Sequence, residues 1–246
     1  METRIAIVTG GARGIGRAVI TAFAAQGIVS VVADLDLEVA EKAAKEIRES
    51  GAEAVAIKVD VSRIEQIDQL VAETMARYGR LDILVNNAGI LSNTPYDVIT
   101  ESEWDHVLDI NLKGVVFASR AALKPMIERG WGRIINISSL AGRNGGVSVG
   151  PAYAASKAAV IGLTRHLAKK VARNGITVNA VAPGTTETDI IKGFNESEMA
   201  AINNAIPLGR LGKPTEIAET VAFLASDSAA FITGAILDIN GGMYMG

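Results

Sequence analysis

The chain contains no cysteine, which excludes disulfide cross-links, thiolate nucleophiles and thiolate metal ligands. Histidine is almost as scarce. His106 and His166 are the only two and lie far apart in sequence, so a zinc centre, usually built from cysteine and histidine, is not expected. Both sit in helical patterns where a surface or capping role is expected. Aromatic residues make up 4% of the chain, leaving the packing to Ala, Gly, Val and Ile. There is no basic excess, with 24 Lys and Arg against 27 Asp and Glu, so a nucleic-acid partner is not expected. No apolar run approaches the roughly 18 residues of a membrane span. The opening "METRIAIVTGG" lacks the charged and apolar regions of a signal peptide. A cytoplasmic protein without a membrane partner is the expectation.

What is present is regular alternation. Seven β-branched runs, "RIAIVTG", "IVSVVADLD", "EAVAIKVDV", "LDILVNNAG", "GRIINISS", "GITVNAVAPG" and "GAILDINGG", are each bounded by Gly, Asn, Asp or Pro, as buried parallel strands tend to be. Amphipathic stretches such as "DLEVAEKAAKEIRESG" and "RIEQIDQLVAETMARYG" separate them. The second of these sets Ile64, Ile67, Leu70, Val71 and Met75 along one stripe, and both end in the glycine usual after a helix. Strand and helix in alternation predict a doubly wound (Rossmann) α/β fold, a seven-stranded parallel sheet with helices on both faces. The 246 residues suit one domain, 1–246, with a sizeable core.

Ligands of such sheets bind beyond the carboxyl ends of the strands. After the first strand comes "TGGARGIG", where Gly10, Gly14 and Gly16 allow a tight turn, close approach to a pyrophosphate and a helix N-terminus aimed at the anion. Arg13 and Ile15 belong to the same candidate loop. The spacing G-x-x-x-G-x-G differs from the usual dinucleotide fingerprint. After the second strand stands Asp34, able to accept hydrogen bonds from a ribose diol and to repel a 2′-phosphate. Arg13 pulls the other way, because a guanidinium there can grip that phosphate. NAD is the expected cofactor, with NADP the alternative. Asp34 also suits a helix cap. Asp60 and Val61 after the third strand suit an adenine, and Asn86, Asn87, Ala88 and Gly89 after the fourth can bridge strand ends and line a cofactor wall.

In "GPAYAASKAAVI" a phenol and an amine stand four residues apart among very small side chains. Tyr153 and Lys157 therefore project from one helix face that is kept clear of bulk. Taken together, "TGGARGIG", "NNAG", "INLKG", "NISS", "YAASK" and "NAVAPG" resemble the short-chain dehydrogenase/reductase family from Ile5 to Met245. Each motif is weak singly, but their order and spacing are specific.

The resemblance implies that Tyr153 trades a proton with a carbonyl or alcohol oxygen. The Lys157 ammonium and a positive nicotinamide ring would lower the phenol from about 10, and Lys157 would hold the nicotinamide ribose. It implies that Ser139 steadies the reacting oxygen, while strand alternation turns its neighbour Ser138 the other way. Asn111 would support a water relay to the lysine from within a helix. Pro183, Gly184, Thr186 and Thr188 would hold the nicotinamide carboxamide. Substrate would meet "ILSNTPY", "AGRNGGVSVGP" and the stretch from Glu187 to Pro207. These offer Ile90, Leu91, Leu140, Val147, Val149 and Phe194, with Arg143 and Lys192 as the few cations, so a neutral or extended substrate is expected.

The C-terminal third is very similar to bacterial 3-oxoacyl-[acyl-carrier-protein] reductases. That implies an acidic carrier-protein partner and a basic docking face, for which Arg129, Lys169, Lys170 and Arg173 are candidates. The same cations suit the last turns of helices. The acidic Glu187–Glu198 stretch counts against such a partner, and Asp34 departs from the NADPH use of those reductases. NAD-linked oxidation of a secondary alcohol, polyol or sugar is the rival enzymatic reading. A non-catalytic dinucleotide-binding regulator is the rival of another class. The family also implies a homotetramer, paired through the helices around "EWDHVLDINLKGVVFASRAALKPMI" and "YAASKAAVIGLTRHLAKKVA" and through the terminal "GGMYMG".

Overall fold

Seven parallel strands lie in the order β3-β2-β1-β4-β5-β6-β7 in a computed structural model that describes residues 3–146, 148–188 and 196–246. They are β1 (Ile5–Thr9), β2 (Val29–Asp34), β3 (Ala54–Lys58), β4 (Ile83–Asn86), β5 (Gly132–Ile137), β6 (Ile176–Pro183) and β7 (Ile236–Ile239). The helices are α1 (Gly14–Ala25), α2 (Leu37–Glu49), α3 (Ile64–Tyr78), α4 (Glu101–Leu108), α5 (Gly114–Arg129), α6 (Leu140–Asn144), α7 (Pro151–Val171), α8 (Glu196–Ala205) and α9 (Pro214–Ala225). All seven apolar runs are strands, as expected. Among the described residues no helix is long and apolar enough to cross a membrane.

Alternation along the strands divides the core. On β1, Ala6 and Val8 face α1, α2 and α9 and pack with Val19, Phe23, Ala44 and Ile217. Ile5 and Ile7 face the other way and join Leu70, Ala122, Met126 and Val171 of α3, α5 and α7. In α3 the expected stripe is buried at Ile67, Leu70 and Val71. Thr74 completes it by donating to the Leu70 carbonyl at 2.8 Å, while Ile64, in the first turn, is only half-buried. Gly79 ends the helix in the left-handed region, φ 68°, where a Cβ is disfavoured.

Sheet order reverses at β1, with β2 on one side and β4 on the other. The crevice beyond the carboxyl ends of these strands is the expected ligand position. The opposite end is closed by a residue the sequence did not single out. Asp82, 1% exposed, accepts from the Ile5 N–H at 2.8 Å and from Arg80 Nε and Nη2 at 2.7 and 2.8 Å. Its own N–H donates to the Ile5 carbonyl, and its carbonyl accepts from Arg133. Three strands thus start from one carboxylate residue.

Candidate active site

The turn after β1 is tight because it carries almost no side chain. Gly10 and Gly14 have φ 61° and 52°, and a Cβ on Gly16 would lie 2.1 Å from the Gly10 carbonyl oxygen. Asn87 secures the turn, donating from Nδ2 to the Thr9 and Gly10 carbonyls at 3.0 and 2.9 Å. Thr9 Oγ1 accepts in return from the Asn87 and Ala88 N–H groups. Asn86 points away from the crevice, donating to Asn136 Oδ1 at 2.8 Å and to Ser119; it bridges strands but lines no wall. α1 begins with no side-chain cap and no acid in its first turn. Its first N–H groups and its dipole thus favour an anion. Ile15 packs back on the core. The loop fits a pyrophosphate.

At the end of β2, Asp34 Oδ2 accepts from the Ala12 N–H at 3.1 Å and Oδ1 from the Asp36 N–H at 3.2 Å. The helix cap suggested for Asp34 belongs instead to Asp36, which accepts from Val39 N–H. The reason is register: β2 runs through Asp34, so the first free acid before α2 is two residues later. Asp60 Oδ1 is engaged by the N–H and hydroxyl of Ser62, and Val61 is buried against Gly114. Beyond β6, Gly184 lies so close to Asn240 that a Cβ would sit 2.8 Å from its Cα. Thr186 donates to the Gly184 carbonyl at 3.0 Å. Thr188 returns to the glycine loop, its methyl 3.5 Å from where a Gly14 Cβ would be.

Tyr153 lies in the first turn of α7, which Pro151 opens. Lys157, one turn on and 5% exposed, donates from Nζ to the Ile137 carbonyl at 2.9 Å. Its Nζ stands 5.8 Å from the Tyr153 ring centre. Ser139 shares a hydrogen bond with the Tyr153 hydroxyl. Ser139 Oγ also accepts from the Ala141 N–H at 3.1 Å as the cap of α6. Ser138 does turn the other way and is buried, donating to the Lys157 carbonyl at 2.8 Å. Gly142 presses on the same peptide, since a Cβ there would come within 2.7 Å of it.

Asn111 sits in a π-helical turn, Asp109–Lys113, between α4 and α5, a widening frequent at functional sites. Its side chain accepts from the Ile90 N–H at 2.8 Å and donates to the Ile90 carbonyl and Ser156 Oγ. That engages both amide protons, so support of a water relay cannot come from this side-chain nitrogen. A Cβ on Gly89 would lie 3.1 Å from Asn111 Oδ1 and 3.3 Å from Lys157 Nζ, so both groups border one small space that only glycine leaves open.

At the start of α7 a cleft of about 630 Å³ is lined by Asn93, Pro95, Tyr96, Gly145, Ser148, Val149, Pro151 and Ala154. None of these is charged. Leu91 is exposed, while Ile90 and Leu140 are half-buried. Arg143 is not a substrate-facing cation, because it donates to Asp238 Oδ2 at 3.0 Å and stacks 4.7 Å from the Tyr244 ring. Val147, Lys192 and Phe194 lie outside the described residues. His106 and His166 are exposed on helices, and His106 is near enough to Asp60 to favour its carboxylate form.

Residues 10–244 match the family model described as enoyl-(acyl carrier protein) reductase. The chain is 43% identical over 245 residues to the 3-oxoacyl-[acyl-carrier-protein] reductase FabG of Staphylococcus aureus (strain N315), covering 99% of each chain. It is 42% identical to the FabG of Escherichia coli (strain K12), covering 99% of this chain and 98% of that one. The chain belongs to the short-chain dehydrogenase/reductase family. The solved structure described as gox2181 superposes with a TM-score of 0.95 at 38% identity, covering 99% of this chain and 96% of that one. This short-chain dehydrogenase/reductase is thus an oxidoreductase of carbonyl or CH–OH groups that uses a nicotinamide cofactor.

Its electrostatics differ from the sequence expectation. Burial pushes the Tyr153 phenol above its ordinary value, and the Ser139 hydrogen bond pulls only partly against that. Burial also brings the Lys157 ammonium down to about 8. Desolvation penalises whichever form is charged, so it moves an acid up and a base down. The polypeptide alone therefore does not lower the phenol.

Sequence reasoning also missed Glu103, which accepts from Ser92 Oγ at 2.7 Å. Hydrogen bonds from Thr94 and Ser92 hold its carboxyl below the usual range. Ser92 in turn accepts the Gly150 N–H at 2.7 Å, so one acid ties the cleft wall to the start of α7. Its one sequence signal is its place three residues after the cap Thr100.

Proposed function

We propose that this enzyme interconverts a 3-oxo and a 3-hydroxy group on a neutral, extended substrate of the acyl-thioester class, preferring NAD(H). The observation that carries it is the Tyr153 hydroxyl, hydrogen-bonded to Ser139 and near Lys157, in the first turn of the helix whose Pro151 and Ala154 line an uncharged cleft. A bound nicotinamide cofactor supplies or accepts the hydride. Gly10, Gly14, Ile15 and Gly16 would hold its pyrophosphate, Asp34 its adenosine ribose, Asp60 and Val61 its adenine and Asn87–Gly89 its flank. Lys157 would hold the second ribose, and Pro183, Gly184, Thr186 and Thr188 the carboxamide. Tyr153 donates its proton to the carbonyl oxygen in reduction and takes it back in oxidation, while the Ser139 hydroxyl, turning its proton to that oxygen, steadies the charge that develops there. Lys157 keeps a positive charge near the phenolate. A kinetic panel of a 3-oxoacyl thioester, diketones and polyols with each cofactor tests this reading. Turnover confined to polyols would replace it with the alcohol-dehydrogenase reading, and no turnover of any kind would favour the regulator.

Preference for NAD(H) rests on Asp34, a carboxylate placed where a 2′-phosphate would have to sit. Steady-state kinetics should give a higher kcat/KM with NADH than with NADPH. A tenfold advantage for NADPH would show that Arg13 outweighs Asp34.

A homotetramer remains the expected assembly. Val116 and Ile127 on α5, Trp104 on α4 and Phe223, Phe231 and Met245 near the C-terminal segment are exposed, consistent with faces covered by other copies. Light scattering at micromolar concentration should return four times the monomer mass, and a monomer would sink the idea. The assembly bears on the carrier protein too. Lys169 and Lys170 follow Tyr153 along α7 by about 24 Å or more at 1.5 Å per residue, and Arg173 stands in the 3-10 turn just beyond its end. They therefore lie at the wrong end of their own subunit. Two-fold antiparallel packing of α5 and α7 would bring these cations, with Arg129, toward the partner's cleft, so we place any acidic carrier protein across two subunits.

A further inference from the structure

We propose that Asp36 is a second residue determining cofactor specificity, acting as a latch that keeps Arg13 from binding a 2′-phosphate. This extends the NAD(H) preference above and rests on it.

Arg13 is the cation in the glycine loop, next to Ala12, whose N–H already bonds Asp34. Its Nη2 lies 3.0 Å from Asp36 Oδ2. The acid is not a loose surface group. Its Oδ1 accepts from the Val39 N–H as the cap of α2, and its own N–H donates to Asp34 Oδ1. The cap therefore orients the carboxylate, leaving one oxygen directed at the guanidinium. Arg17, the next cation along, is occupied by Glu46 Oε2 at 2.6 Å and by the Ala43 carbonyl. The Arg13 and Asp36 side chains are 62% and 48% exposed. An ion pair so exposed adds little to stability, yet it sits where a ligand decides between two partners.

A 2′-phosphate carries a charge of about −1.5 to −2. Entering here, it would meet the Asp34 carboxylate and a guanidinium already paired with Asp36. Removing Asp34 alone takes away the direct repulsion and leaves Arg13 engaged. Removing Asp36 as well frees the planar fork that suits phosphate oxygens. The two losses should therefore reinforce each other, and only while Arg13 is present.

The test is calorimetric titration of the full chain with 5′-AMP and 2′,5′-ADP, which differ only by the 2′-phosphate and require no turnover. Asp36→Asn is the variant of choice because asparagine keeps the shape and caps helices as well as aspartate. Wild type should bind 5′-AMP more tightly. Asp34→Ser should narrow the gap, and adding Asp36→Asn should improve 2′,5′-ADP binding by about ten- to hundredfold more, the worth of a charged hydrogen bond. That further gain should vanish with Arg13→Gln and shrink at high salt. Preference of the wild type for 2′,5′-ADP would overturn the NAD(H) reading itself. With that preference as expected, no gain from Asp36→Asn, or a gain that survives Arg13→Gln, would overturn the latch alone. A surviving gain would point to Lys58, which pairs in register with Asp34. Circular dichroism of each variant, matched to wild type, shows that the comparison is between folded chains.

Discussion

Tyr153→Phe should lower kcat by about 10²–10⁴-fold, the usual worth of general acid–base catalysis, while leaving cofactor binding nearly unchanged. The ring stays and only the transferable proton is lost. Lys157→Ala should damage both turnover and cofactor binding. It removes a buried ammonium that borders the phenol and the Gly89 space. The double variant should turn over little more slowly than the worse single one, because the two groups act as a unit.

The pH profile carries the sign. Oxidation needs the phenolate, so its rate should rise with pH as Tyr153 loses its proton. Burial raises that phenol, so without cofactor the rise would come late; a positive nicotinamide ring and the Lys157 charge both move it to lower pH. Lys157 helps only while protonated, and burial brings it to about 8, so its support fades above that pH. In Lys157→Ala the rising limb should shift to higher pH, and in Tyr153→Phe it should disappear. Substantial turnover by Tyr153→Phe with the limb intact would mean that another group supplies the proton.

Asp82→Ala should unfold the protein more readily by about 3–5 kcal/mol, the cost of breaking a buried, hydrogen-bonded ion pair from one side. The Ile5 N–H and two Arg80 nitrogens lose their shared acceptor at the end of the sheet away from the active site. For a chain of this size each kcal/mol corresponds to about 2–4 °C in Tm, so a fall of about 6–20 °C in thermal circular dichroism is expected. Since Asp82 touches none of the candidate catalytic or cofactor-binding groups, pairing only with Arg80 and, at 3.7 Å, with Arg129 among the described ion pairs, kcat below the transition should stay near wild type. A change of about 2 °C or less would show that β1, β4 and β5 are joined by their backbone ladder alone.

Asp82 illustrates what the sequence withholds. In "LDILVNNAG" it reads as a polar residue at a strand's edge. Its importance comes from Ile5 and Arg133, which meet it only when three strands lie side by side. Asn86 and Asn136 are similar, with a hydrogen bond joining residues 50 apart. Thr164 continues that line from α7, accepting from Asn136 Nδ2 at 2.9 Å. Arg143 read as a substrate cation because no local signal connects it with Asp238, 95 residues away. The Asp34 carboxylate was legible as a cofactor acid, but the sharing of roles between Asp34 and Asp36 depended on where β2 stops.

Local chemistry sufficed for much of the rest. Strand and helix periods repeat within a few residues, so the seven strands and the parallel sheet were readable from the chain itself. The glycine loop was readable because only glycine permits that turn, and the Tyr153–Lys157 pair because a four-residue spacing puts two side chains on one helix face. The sequence thus determined which groups are available and along which face they point. Tertiary structure decided which partner each one meets and how dry that meeting is. For Tyr153 and Lys157 this decides the chemistry, since burial alone moves the phenol up and the ammonium down. Desolvation depends on everything packed around a group, and no stretch of sequence near Tyr153 records that.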